Sequence, residues 1–317
     1  MKIFNAVHSS PASQKCEAVV ELSGHLFASP AERLAGAALY LRPSSLQEAL
    51  EALAATGGTV LSGGTDIFPP LVDRPLMGPV IDISALREIA GIRQTESHVV
   101  IGGRTSWAEI VKSSLPRGFD GLKAAAREVG SVQIQNQGTI AGNICNASPA
   151  ADGVAALMAL DAEVTLTSCS GSRTLPLGDF ILGNRKTARR VDELLTSVQV
   201  PRRLENAASS FLKLGARRYL VISIVMVAAN LTVDAQGRIR EALLCVGSCS
   251  AKAARLTGLE QDLVGIFLSA DLAALLRDHH FAPLTPIDDV RGTAAYRNDA
   301  ARTLVARALA ACREKVR

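Results

Sequence analysis

Residues 1–38 of the chain hold no sustained alternation of polar and apolar positions, and the pattern sharpens abruptly at Leu39-Tyr40-Leu41-Arg42-Pro43. The first stretch reads as a loosely ordered N-terminal extension. From Ser45 the period becomes helical: Ser45 and Glu48 fit a capping box, Leu46, Leu50 and Leu53 share a face, and Gly57-Gly58 ends the helix. Short strands are predicted at Thr59-Val60-Leu61, at Val80-Ile81-Asp82-Ile83 and at Val99-Val100-Ile101. Helices are predicted from Ser106, again with Glu three residues on, and over Gly121 to Val129. Gln135 to Asp152 is rich in Gly and small polar residues between apolar flanks, and reads as a loop held inside the structure. A short helix over Ala155 to Leu160 follows, then strands over Glu163 to Thr167 and Val191 to Val200. Pro201 to Ser209 is polar and aperiodic, the best candidate domain boundary. Beyond it, Phe211 to Leu214 and Tyr219 to Val233 read as strand, with a turn at Asp234 to Gly237 and a returning strand over Arg238 to Val246. Helices over Ala270 to Asp278 and Ala294 to Val316 close a chain of α+β class.

Composition narrows the function. The 317 residues are 48% hydrophobic and carry 34 Lys+Arg against 30 Asp+Glu, with only 4% aromatics, which is a globular balance with no polybasic arm. Nucleic acid is thereby disfavoured as a partner. The longest apolar run, Leu220 to Ala229, is interrupted by Ser223 and falls far short of the ~20 residues that cross a bilayer, so no membrane span is expected. The N-terminal residues lack the apolar core of a secretory signal, which implies a cytoplasmic protein. Six cysteines form no CxxC pair and no cluster with histidine, so a metal or iron-sulfur site on this chain is not expected.

Two small-residue loops stand out, Ser62-Gly63-Gly64-Thr65-Asp66 and Thr139-Ile140-Ala141-Gly142-Asn143. Each has two readings. Successive backbone N–H groups freed of side-chain bulk can form a nest for phosphate oxygens, and two nests facing one another would grip a pyrophosphate. Alternatively both are plain turns, since Gly57-Gly58 and Gly102-Gly103 show that the chain also uses glycine pairs for turning. No GxGxxG follows the first strand and no GxxxxGK[ST] occurs, which disfavours a Rossmann or P-loop nucleotide site. The five histidines lie outside both loops, and no GxSxG elbow appears, so nucleophilic catalysis has little support.

Four segments occur in order: Ser62 to Asp66, Gly138 to Asp152, Phe211-Leu212-Lys213-Leu214-Gly215-Ala216-Arg217-Arg218, and Asp288-Asp289-Val290-Arg291-Gly292-Thr293-Ala294-Ala295-Tyr296-Arg297. Together they resemble the FAD-binding medium subunit of the molybdenum hydroxylases, the xanthine dehydrogenase and carbon monoxide dehydrogenase family, over about Leu39 to Arg317. The resemblance implies a vanillyl-alcohol-oxidase (PCMH)-type FAD-binding domain of two subdomains over residues 39–203. A smaller domain of the carbon monoxide dehydrogenase flavoprotein type would follow over 204–317, with a three-stranded antiparallel sheet and helices. It further implies non-covalent FAD held by Val60, Leu61, Ser62, Gly63, Gly64, Thr65, Asp66 and Ile67 of the first loop, and by Thr139, Ala141, Gly142, Asn143 and Ser148 of the second. Asp152 matches an acid near the FAD phosphate and ribose, Val129 and Leu195 match apolar contacts, and Lys213 matches a flavin-side lysine. The alternative reading of Lys213 is a solvated strand lysine.

The family commonly has Arg where this chain has Gln135 and Gln137, and Gly where it has Ala141; these departures bear on FAD affinity. The function implied is an electron-transfer oxidoreductase subunit. Electrons would pass from the clusters of a small two-cluster iron-sulfur subunit through FAD to an external acceptor such as NAD+, while a large molybdenum-cofactor subunit oxidises the substrate. No side chain here is assigned a catalytic role. The alternatives are an assembly module of the same fold that has lost FAD, and a stand-alone flavin dehydrogenase or oxidase.

Overall fold

The computed structural model describes residues 39–72 and 74–316; the predicted extension 1–38 lies outside the described residues. Tyr40–Leu41, Val80–Asp82 and Thr59–Leu61 form a three-stranded parallel sheet in that spatial order. The helix Leu46–Thr56 covers it, packing Ala49, Leu50 and Leu53 against Ile81, Ile83 and Leu86. Ser45 caps this helix by accepting from Glu48 N, and Gly57 ends it at φ +60. The expected capping box is incomplete, because the Glu48 carboxylate turns to the N–H and hydroxyl of Ser44 instead. The sheet matters for function because the loop at residues 62–66 leaves the carboxyl end of a parallel strand, the edge where α/β sheets gather ligands.

A five-stranded antiparallel sheet follows, in the order Ile92–Gln94, His98–Gly102, Leu194–Pro201, Glu163–Ser168, Gly171–Pro176. The predicted strands at residues 80–83 and 99–101 therefore belong to different sheets, and the strand Gly171–Pro176, which is polar and largely exposed, has no periodic signal in the sequence. Helices Trp107–Lys112, Asp120–Glu128 and Asp152–Met158 pack on this unit, burying Trp107, Ile110, Leu122 and Val154 with Val164, Leu166 and Val198. The stretch expected as an internal loop, 135–152, is largely helical: Val132–Gln137, then Ile140–Asn146, then the start of Asp152–Met158. Ser131 and Thr139 cap the first two, each side chain accepting from a backbone N–H three residues on. Their propensities are poor; the second is held by Ile140, Ala141 and Ile144, which are buried, whereas the first buries no residue and rests on its Ser131 cap.

The last third contains Ala208–Leu214, Val225–Val233, Ile239–Gly247 and a two-residue fourth strand, Ala254–Arg255, all antiparallel. This adds a short strand to the three expected. The central strand is buried on both faces. Val225, Val227, Ala229 and Leu231 meet the long helix Ala294–Val316 through Ala301, Leu304, Val305 and Ala308, while Met226 and Ala228 join the core of the preceding unit. Double burial makes the strand read as one apolar run, and the sequence pattern starts it at Tyr219 rather than at Val225 because the preceding Leu220, Val221 and Ile222 are apolar too, although Tyr219, Leu220 and Ile222 are exposed. The expected helix at 270–278 is only a single tight turn, Leu272–Leu275, and a helix at Thr257–Leu263 shares the apolar cover with it, Leu259 and Leu263 joining Leu272 and Leu276 in one core.

Candidate functional site

A cleft of about 1130 Å³ runs between the parallel-sheet unit, the five-stranded unit and the start of the C-terminal sheet. That exceeds the ~300–1,000 Å³ of an ordinary small-molecule pocket. Val60, Ser62, Gly63, Gly64, Thr65, Asp66 and Ile67 line it from one side, and Thr139, Ala141, Gly142, Asn143 and Ser148 from the helical segment. Val129, Asp152, Leu195 and Lys213 complete the wall. Of the residues expected to hold FAD, Leu61 alone does not line the cleft; its side chain packs toward Gly64 instead.

The two loops meet. A Cβ built on Gly63 would stand 1.9 Å from the Gln137 carbonyl oxygen, so only glycine lets the first loop approach the backbone before Gly138. Gly64 adopts φ +70, which an L side chain rarely accepts. The loops are not equivalent nests, however. Among the described residues, the N–H groups of Gly63, Gly64, Thr65 and Asp66 meet no acceptor of the chain, whereas those following Thr139 are already engaged. Ile140 N donates to Thr105 O, Ala141 N to Gly103 O, Gly142 N to Thr139 Oγ1 and Asn143 N to Thr139 O. The second loop is thus a capped helix start offering side chains and a dipole, because its backbone donors are used in anchoring it. Ser62 Oγ and Asn143 Oδ1 are buried polar atoms without a partner in the chain, both on residues that line the cleft.

Asp152 and Lys213 are both buried, with side-chain exposures of 7% and 8%, and their charged atoms lie 2.6 Å apart. Lys213 is therefore no solvated strand lysine: its Nζ also donates to Glu128 O at 3.2 Å, beside Val129. Ser223 Oγ donates to Asp152 Oδ1 at 2.6 Å. Burial pushes the Asp152 carboxyl above its ordinary value, and the Lys213 ammonium and Ser223 hydroxyl pull it back only in part. Elsewhere on the wall, Arg173 donates twice to Glu193 and holds that carboxyl below its usual range.

Several lining residues carry no signal in the motif segments. Arg185 comes from the turn of a small hairpin, Ile181–Gly183 with Lys186–Thr187, Arg189 and Glu193 from the approach to Leu194–Pro201, and Leu220, Val221 and Ile222 from the segment before Val225–Val233. The run Arg185-Lys186-Thr187-Ala188-Arg189-Arg190 is the one sequence cue that could have found the first group. Cys145 also lines the cleft; burial pushes its thiol up to about 11, leaving it neutral and unreactive. Gln135 and Gln137 do not line the cleft; Gln135 instead donates to Arg127 O at 2.9 Å. Ala141 lies in ordinary helical backbone, so its Cβ imposes no strain.

Among the described residues the fold gathers one cluster that the sequence did not suggest, Asp262, His279 and His280, none of which lines the cleft. His280 Nδ1 accepts Arg277 N–H at 3.1 Å, so its proton sits on Nε2, which faces Asp262 Oδ2 at 2.9 Å. The nitrogen that a metal would need is thus a donor in a hydrogen-bonded pair.

Fold and cleft define an α+β protein built to hold an extended, phosphate-bearing cofactor. Residues 32–203 match the family described as the FAD binding domain in molybdopterin dehydrogenase, and residues 210–312 the CO dehydrogenase flavoprotein C-terminal domain. The chain is 32% identical over 277 residues to the glyceraldehyde dehydrogenase medium chain of Sulfolobus acidocaldarius, covering 85% of this chain and 96% of that one. It is 36% identical over 206 residues to the nicotinate dehydrogenase FAD-subunit of Eubacterium barkeri, covering 62% and 70%. A chain in a solved structure of carbon monoxide dehydrogenase from Hydrogenophaga pseudoflava superimposes with a TM-score of 0.78 at 27% identity, covering 87% of this chain and 96% of that one. The chain belongs to the family of FAD-binding medium subunits of molybdenum hydroxylase-type dehydrogenases. It is an FAD-binding oxidoreductase subunit, and among the described residues no helix is long and apolar enough to cross a membrane.

Proposed function

We infer that this chain is the electron-transfer subunit of a cytoplasmic molybdenum hydroxylase complex. It takes electrons from the clusters of a small iron-sulfur subunit and delivers them to an external acceptor such as NAD+, while a large molybdenum-cofactor subunit oxidises the organic substrate. The observation that carries the reading is the cleft wall at residues 62–66, where free backbone donors, an unpartnered Ser62 hydroxyl and the close approach of Gly63 suit a pyrophosphate. Residues 39–203 are assigned as the FAD-binding unit and 204–317 as the C-terminal unit, in keeping with the matches at 32–203 and 210–312.

In this assignment Gly63, Gly64, Thr65 and Asp66 hold the pyrophosphate through their N–H groups, with Thr139 and Asn143 donating from the opposite loop. Val60, Ile67 and Leu195 supply apolar contact, while Val129, Ser148, Asp152 and Lys213 surround the remaining part of the cofactor. Bound FAD supplies the store that accepts electrons singly from a cluster and releases them in pairs. The protein's part is to orient that group, exclude water and hold the charges of Asp152 and Lys213 at fixed positions. A cofactor of this kind needs no nucleophile or general acid from the chain.

Purification through a tag on this chain is expected to bring down a molybdenum-containing and an iron-sulfur subunit. The substrate-reduced complex, mixed anaerobically with NAD+, is then expected to yield NADH. A chain that comes down alone would contradict the partner assignment; reoxidation by quinone or oxygen with no NADH formed would contradict the acceptor.

A further inference from the structure

The Asp152–Lys213 pair lies in the cleft, yet part of what holds it there comes from side chains that do not reach the cleft at all. Ser223, fully buried, donates its hydroxyl to Asp152. The backbone carbonyls of Ser223 and its neighbour are in turn gripped by two guanidinium groups of the C-terminal unit. Arg291 Nη1 donates to Ser223 O at 3.0 Å, and Arg297 Nη1 donates to Ile224 O at 2.6 Å. Asp289 joins the two cations, its Oδ1 accepting from Arg297 Nη2 and its Oδ2 from Arg291 Nη2, both at 2.6 Å. These bonds, that of Arg291 foremost, hold the Asp289 carboxyl far below its usual range. Arg297 is 1% exposed and reaches a second wall as well: Nη1 lies 3.1 Å from Ser248 O, and Ser248 N donates to Pro149 O beside the cleft residue Ser148.

A buried guanidinium costs several kcal/mol of lost hydration unless its donors are matched, and a hydrophobic side chain of similar volume would often serve stability as well. Arg297 Nε is left without a partner, while the bonded Nη donors of Arg297 and Arg291 converge on one place. The gripped carbonyls stand where the chain leaves the exposed segment Tyr219 to Ile222, with Leu220 at φ 53, and enters the strand Val225–Val233. A planar fork fixes both the position and the orientation of the carbonyls it holds, which an ammonium cannot do.

We propose that Arg297, with Asp289 and Arg291, is a positioning device for the flavin site, holding Ser223 so that its hydroxyl fixes the Asp152–Lys213 pair against the cofactor. The proposal rests on the reading of the cleft as the FAD site. It makes Asp289, Arg291 and Arg297, none of which lines the cleft, determinants of flavin affinity and potential without contact to the flavin, because a shift in the nearby charges changes the electronics of the ring.

The test uses the full chain loaded with FAD and the variants Ser223→Ala, Arg297→Lys and Arg291→Gln, read by FAD dissociation constant, visible circular dichroism of the flavin and midpoint potential against pH. Each variant is expected to bind FAD about tenfold more weakly, the loss typical of one charge-assisted hydrogen bond. Each is also expected to change the pH dependence of the potential. The double variant Ser223→Ala/Arg297→Lys is expected to be no worse than the poorer single one, because both break one chain of contacts. Folded variants with wild-type affinity, dichroism and potential would overturn the proposal, as would losses that add in full. Should Arg297→Lys not fold, the partly exposed Arg291→Gln paired with Ser223→Ala decides by the same criteria. A wild-type chain that takes up no FAD would instead overturn the reading of the cleft, and the positioning role with it.

Discussion

At the scale of single residues, the cleft depends on groups that tolerate no substitute. Asp152 and Lys213 are the sharpest case: removing one partner of a buried ion pair strands the other charge away from water. Asp152→Ala is expected to cost about 3–5 kcal/mol in urea unfolding, and Asp152→Ala/Lys213→Met to recover much of that loss. Equal losses in the single and double variants would show that the pair is not coupled. Both residues stand out in the sequence only through the family resemblance. Lys213 follows apolar Leu212 in an ordinary strand pattern, and nothing local reveals that its ammonium turns inward to an acid 61 positions away. Ser223 is harder still to read, since a lone serine in an apolar run resembles a tolerated core hydroxyl until its partner Asp152 is placed.

At the scale of elements, legibility followed length and capping. The helix Trp107–Lys112 is short but announced by Ser106 and Glu109, and the structure contains the full reciprocal box: Ser106 Oγ accepts Glu109 N, and Ser106 N donates to Glu109 Oε2 at 2.7 Å. Ser106→Ala is expected to lower stability by about 1–2 kcal/mol in chemical denaturation, the upper part of the range for such caps because the site is buried. A change below a few tenths would mean that the helix is held by Trp107 and Ile110 alone. The helices at 132–137 and 140–146 are illegible for the opposite reason: their Asn and Gly favour turns and their Val and Ile favour strands, and in the second the burial of Ile140, Ala141 and Ile144 overrides that preference. Ser131 and Thr139 were the available signals, each preceding a short apolar repeat.

At the scale of the whole molecule, the C-terminal sheet lies between two cores, and its cysteines are buried with it. Burial pushes the thiols of Cys245 and Cys312 up to about 12 from an ordinary value of 9.0. The unfolded chain releases these protons from about pH 9 upward, while the folded chain keeps them to about pH 12, so the unfolded state binds fewer protons in that window and stability falls as pH rises through it. Urea midpoints measured from pH 8 to pH 11 are expected to decline more steeply for the wild type than for Cys245→Ala/Cys312→Ala. Parallel profiles would refute the contribution of the thiols. The α+β class and the gross order of strands and helices were readable from periodicity. The sorting of strands into sheets, the extra strand Ala254–Arg255 and the inequality of the two loops were not, because each depends on pairings distant in the sequence.

The most direct measurement on the cleft follows the single tryptophan. Trp107 lines the cleft and packs against Gly138 and Gly153, so a bound flavin lies close enough to quench its emission. The FAD-free full chain, titrated with FAD while Trp107 fluorescence and bound flavin are followed, is expected to saturate stoichiometrically with strong quenching. Gly63→Val, whose side chain meets the Gln137 carbonyl, is expected to bind at least about a hundredfold more weakly, a difference of ~2.7 kcal/mol, while keeping its Trp107 emission maximum. Stoichiometric FAD in Gly63→Val, or quenching that does not distinguish it from the wild type, would contradict the placement of the cofactor between the two loops.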